Sequence, residues 1–226
     1  MYLEIIKIKR NPKIFDRVGK ILYSTIMKKF FTIIAAALMA VSASAQSDAG
    51  SFTLQPNVGF TYTTATGDWG EGTDGAFGLT AGVEGMYMIN DKFGAALGLN
   101  YTGYNTSQEV GLLISSVLDA TEDMIFSNYY FNIPVTANYY VAPGLALKAG
   151  IAMNILSTAK IDGEDKFYGA DVKDMYESTF FSIPVGASYE INDFVFNLRY
   201  NLGLGDVTKA NSGSFNALSC TVGYKF

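Results

Sequence analysis

Apolar and polar positions alternate along eight stretches of this chain. In Tyr129–Tyr140 the odd positions carry Tyr, Phe, Ile, Val, Ala and Tyr, and the even positions carry Tyr, Asn, Pro, Thr, Asn and Tyr. A period of two marks a β-strand whose faces meet different surroundings. The pattern predicts strands at 52–64, 75–89, 92–104, 125–141, 145–157, 178–191, 194–204 and 214–226. Asn90-Asp91, Ala142-Pro143-Gly144 and Asn192-Asp193 form tight turns of turn-type residues. The longer, more polar connections 65–74, 105–124, 158–177 and 205–213 fall between them. Short turns at one end, long loops at the other and an even strand count predict an all-β fold: an eight-stranded antiparallel up-and-down transmembrane β-barrel, with short turns and both termini on the periplasmic side.

The parity holds strand by strand. Phe52, Leu54, Val58, Phe60 and Tyr62 share one face, opposed to Thr53, Gln55, Asn57, Gly59, Thr61 and Thr63. The apolar face is assigned to lipid and the polar face to the lumen. A lipocalin-like soluble barrel would need the reverse. Outward aromatics are expected in two girdles. Phe52 and Tyr62, Phe77 and Tyr87, and Tyr129 and Tyr139 stand ten residues apart on one face. Ten residues of tilted strand span roughly 25 Å along the membrane normal, the height of an apolar band. Tyr101 joins these belts, and Phe93, Tyr189, Phe194, Tyr224 and Phe226 extend the periplasmic one.

The polar face is made mostly of Gly, Ala, Ser, Thr and Asn, and eight strands enclose just enough room for side chains to fill. Glu84, Lys148, Glu190, Arg199 and Lys225 share that face. They are expected to meet as a luminal ion-pair network, because buried charges are normally paired. The alternative is that each extends separately to the periplasmic end. Phe131–Tyr139 recurs fifty residues on as Phe181–Tyr189, with Ile-Pro-Val in both copies. Proline cannot donate to a ladder, so a bulge or a missing ladder bond is expected at Pro134 and Pro184.

Composition narrows the picture further. The chain has 226 residues, of which 49% are hydrophobic, yet no internal run is long enough for a spanning helix, a combination that alternating strands produce. Residues 27–45 read as a helical signal peptide: Lys28 and Lys29, an apolar run from Phe30 to Val41, and Ala43-Ser44-Ala45 as cleavage site. Residues 1–26 precede a complete signal and are read as an upstream extension, either a gene-start artefact or a long basic leader. The barrel is assigned to 46–226. Cleavage would remove 8 of the 16 basic residues and 2 of the 21 acidic ones, leaving 8 against 19, net −11. That sign disfavours nucleic acid as a partner.

Candidate chemistry is sparse. The chain contains no histidine, so Ser-His and Asp-His arrangements are impossible, and no cofactor or metal is expected. Cys220 is the only cysteine and lies on the lipid-facing parity of the last strand. Asp162, Glu164, Asp165, Asp171, Asp174 and Glu177 crowd the 158–177 loop, but Asp162-Gly163-Glu164-Asp165 does not match an EF-hand loop. The four long loops together hold 14 acids against 4 lysines, a field that repels polyanions and suits divalent cations bridging to lipopolysaccharide phosphates. In loop 105–124 the apolar run Val110–Leu118 is read either as a short helix capping the mouth or as a contact for another protein.

The aromatic-x-Ile-Pro-Val-x-x-x-Tyr strand, the leader ending in Ala45-Gln46 and the terminal Val222-Gly223-Tyr224-Lys225-Phe226 resemble the porin-family outer-membrane β-barrel proteins of the Bacteroides group, similar in plan to small OmpA/OmpX-type barrels. The resemblance covers 46–226. It implies outer-membrane localisation in a Gram-negative cell and insertion by the barrel-assembly machinery, with Tyr224 and Phe226 as the assembly signal. The bilayer and lipopolysaccharide are the implied surroundings, with an extracellular or periplasmic protein partner left open. "Porin" there names a family and does not imply an open pore. The expected function is a non-catalytic structural or surface-interaction barrel with a side-chain-filled lumen. The competing expectation is a narrow channel for small or hydrophobic solutes.

Overall fold

The computed structural model describes residues 49–70, 72–111, 121–162, 170–209 and 212–226. Eight strands run as an antiparallel meander: β1 Phe52–Thr66, β2 Thr73–Met88, β3 Phe93–Gly103, β4 Thr121–Ala142, β5 Leu145–Asp162, β6 Thr179–Ile191, β7 Phe194–Leu204 and β8 Ser214–Tyr224. Each pairs with the next in sequence, and β1 pairs with both β2 and β8, so the sheet closes as an eight-stranded barrel. The last residue extends the closing seam, because the Phe226 N–H donates to the Leu54 carbonyl at 3.0 Å and the Leu54 N–H donates back to Phe226.

Burial follows the predicted parity. In β3 exposed and buried residues alternate, with Leu97 exposed and Ala96 and Asn100 buried. Leu, Ile, Val, Phe and Tyr populate the outer wall, and Thr, Asn and Ser dominate the buried positions. The lipocalin-like reading is thereby overturned, since it required the apolar face inside.

The turns are built by local chemistry. Asn90 Oδ1 accepts from the backbone N–H groups of Lys92 and Phe93, both at 3.0 Å, bending β2 into β3. Gly144 (φ +75°) and Asn192 (φ +54°) take the left-handed region at the next two turns, which glycine and asparagine tolerate best.

The outer end differs from the sequence expectation. β3 breaks at Tyr104-Asn105, then resumes as Thr106–Gly111, which still pairs with β4 and briefly with β2. Both sides of the expected 105–124 loop are therefore strand, because the polar β-formers around Thr106 and Phe126 continue the ladder. The capping-helix expectation falls mostly on residues 112–120, outside the described residues. β5 likewise continues to Asp162, and Ala170–Asp171 pairs with Lys160 and Ile161. Residues 163–169 of the acidic loop lie outside the described residues.

Both prolines interrupt one ladder without shifting it. Between β3 and β4 the pairs run to Leu97–Val135 and resume at Asn100–Asn132 in the same register. Between β5 and β6 they run to Ala149–Val185 and resume at Ala152–Ser182. The outcome is a gap rather than a bulge. The real register shifts lie elsewhere, between Tyr129 and Tyr130 and between Tyr140 and Ala142. Gly98, opposite Pro134 by register, leaves room for the ring: a Cβ there would stand 2.8 Å from Pro134 Cγ.

Candidate functional site in the barrel lumen

The inward faces of the strands stack three kinds of layer inside the barrel. Nearest the periplasmic turns, Glu190 from the end of β6 accepts from Lys225 Nζ at 2.5 Å and from the Tyr140 hydroxyl at 2.6 Å. Met86, Met88 and Ala96 form a small apolar cluster against Tyr140.

Higher up, Glu84 of β2 binds two cations from the opposite wall. Lys148 of β5 donates from Nζ to Oε1, and Arg199 of β7 donates from Nη2 to Oε2 at 2.9 Å. Lys148 also donates to Asn197 Oδ1 at 3.3 Å. The five charged residues singled out from the sequence thus form two groups, Glu84 with Lys148 and Arg199, and Glu190 with Lys225. They separate because Glu84 projects from mid-strand whereas Glu190 and Lys225 stand beside the turns.

Above this, Asn154 of β5 ties three other elements together. Its Oδ1 accepts from Asn132 Nδ2 at 2.7 Å and from the Tyr104 hydroxyl at 3.1 Å, and its Nδ2 donates to Ser182 Oγ at 3.0 Å. Asn132 and Ser182 hold the same position in the two Ile-Pro-Val copies, so the repeat flanks β5 with a matched pair of polar side chains.

The outermost layer was not foreseen. Tyr104, Tyr130, Phe180 and Phe215 point inward and are buried, with Leu156, Ala159, Tyr176, Val207 and Ala217 around them. Tyr104 stacks on Phe215 (centroids 5.9 Å), and Tyr130 meets Phe180 edge to face at 5.1 Å. The outer loops fold onto this plug, since Glu177 N–H donates to the Val207 carbonyl and Lys209 N–H to the Met175 carbonyl. The signal was present in the sequence: aromatics on the lumen parity of strands whose other inward residues are small.

Between the Glu84 layer and the aromatic plug lies a cavity of about 20 Å³, lined by Gln55, Asn57, Thr80, Glu84, Asn100, Thr102, Tyr104, Asn132, Asn197, Arg199, Asn201, Ser219 and Thr221. That is room for one water-sized particle or little more. Among the described residues no group of three or more His, Cys, Asp or Glu could hold a metal ion.

On the outer wall, Phe52, Phe77, Tyr87, Phe93, Tyr189 and Phe194 are exposed, as are Tyr62, Tyr139 and Tyr224. Register sets girdle residues side by side: Phe52 with Tyr87, Phe93 with Tyr139, and Phe194 with Tyr224 near the short turns, and Tyr62 with Phe77 near the long loops. Tyr101 and Tyr129 are half-buried because their rings stack at 5.2 Å, and Phe226 rests edge-on against Tyr224 at 4.8 Å. Cys220 is exposed on the same wall.

A family model described as outer membrane protein beta-barrel domain matches residues 33–226. No curated protein sequence matches the chain. Among solved structures it is similar to the attachment invasion locus protein Ail of Yersinia pestis (13% identity, 79% of this chain and 99% of that one, TM-score 0.44). It is similar also to Neisserial surface protein A (18% identity, 81% and 100%, TM-score 0.45) and to outer membrane protein W of E. coli (16%, 80% and 100%, TM-score 0.36). These likenesses carry no argument about function.

Proposed function

The chain belongs to the outer membrane protein beta-barrel domain family, and on that premise we propose that it is a non-catalytic outer-membrane barrel that acts through its outer surface rather than through a pore. The observation that carries this reading is the filled interior. Two ion-pair groups, an asparagine-centred layer and an aromatic plug occupy the lumen, with a cavity of about 20 Å³ between the Glu84 layer and the plug. Among the described residues these side chains cross the lumen at successive heights, which obstructs the passage of a solute.

The finer attribution, to the porin-family barrels of the Bacteroides group, rests on the two Ile-Pro-Val strands and the terminal Tyr224-Lys225-Phe226. Export by the 27–45 signal, insertion by the barrel-assembly machinery and contact with lipopolysaccharide through the acidic outer loops belong to the same reading. The strand continuations around Thr106–Gly111 and Thr121–Phe126 supply a paired outer platform for a protein partner.

Planar-bilayer recording tests the closed lumen. Purified protein at low salt is expected to give no steady conductance. A steady conductance altered by Glu84→Gln or Arg199→Gln would replace this reading with that of a narrow channel.

A further inference from the structure

Five charged side chains face the barrel interior among the described residues, and their charges do not cancel. Lys225 is matched by Glu190. Glu84 alone faces both Lys148 and Arg199, so the middle layer holds one positive charge in excess. An uncompensated charge enclosed by a sheet and lipid is costly, and buried charges are normally balanced.

We propose that the luminal cavity beside Arg199 is a binding site for a small monovalent inorganic anion of chloride size, which completes the charge balance of the middle layer. Two observations converge there. The guanidinium carries five N–H donors, and among the described residues its hydrogen bond runs from Nη2 to Glu84. The cavity that Arg199 borders is polar, with Asn57, Asn197 and Ser219 in its lining, and its volume of about 20 Å³ is enough for one small ion. Glu84 also borders it, but both of its oxygens are engaged by Lys148 and Arg199, which outweigh its charge.

The test is the thermal unfolding of the protein in detergent micelles at fixed pH and ionic strength, with gluconate replaced stepwise by chloride. The midpoint is expected to rise by ~3 °C by the time chloride reaches about ten times its dissociation constant, and to go on rising with the logarithm of the chloride concentration. Bromide should act alike and sulfate should not. In Arg199→Gln the interior charges balance, and the dependence on chloride should vanish. A measurement on the unsubstituted protein stands beside that variant: chloride NMR should show line broadening that bromide relieves. Coincident curves in chloride and gluconate, an equal response to sulfate, persistence of the response in folded Arg199→Gln, or absence of excess broadening would each overturn the proposal.

Discussion

Glu84 shows how much one lumen residue carries. It sits on β2, and its partners come from β5 and β7, 64 and 115 residues away in sequence. Removing its charge strands two cations at once. Glu84→Gln is therefore expected to destabilise the folded barrel by ~3–5 kcal/mol, read from urea titrations in lipid bilayers. Replacing Lys148 with Met in the same background should recover part of that loss, because one stranded charge is removed with its partner. A single substitution that left stability unchanged would mean that Glu84 does not hold the two cations. Asn154 is the neutral counterpart, joining β5 to β4, to β6 and to Tyr104 just past β3 through a single amide.

At the level of the strand, two opposing rules meet at Pro134 and Pro184. Each proline lies inside a closed sheet, where its missing N–H opens a two-pair gap toward one neighbour. The other ladder stays continuous through Pro134–Ala152 and Pro184–Asn201. Pro134→Val should restore one ladder bond to β3 and stabilise the barrel by about 1 kcal/mol, with slower amide exchange at residue 134's neighbours. An unchanged exchange pattern would show that the gap has another cause. Outer-wall positions obey a different rule. Leu97 is exposed in mid-strand, facing lipid. Leu97→Arg is expected to cost ~2–4 kcal/mol in bilayer refolding. Normal insertion of that variant would contradict the orientation of the wall.

For the barrel as a whole, closure is the decisive event, and it joins the first strand to the last. Ten pairs from Asn57–Gly223 to Thr66–Ser214 form that seam, and Phe226 adds backbone bonds to Leu54. Deleting Phe226 removes those bonds and the ring that packs on Tyr224. Outer-membrane levels of the truncated protein, measured by fractionation and blotting, are expected to fall well below those of the intact chain. Unchanged levels would remove Phe226 from the assembly signal.

The amino-acid sequence by itself determined the strands and their two faces. Period-two alternation over long stretches, bounded by Asn-Asp and Pro-Gly turns, leaves few other solutions, and β1 to β8 lie within a few residues of their expected bounds. Tertiary structure alone decided which inward residues meet. Parity states that Glu84, Lys148, Glu190, Arg199 and Lys225 point inward, but their separation into two groups depends on strand register and on closure of the ring. The same holds for Tyr104, Tyr130, Phe180 and Phe215: each is an isolated aromatic on a polar face in sequence, and only the curved sheet brings the four rings into contact. Local alternation fixes direction, whereas height and angle around the barrel are set by hydrogen-bond pairing between residues far apart in the chain.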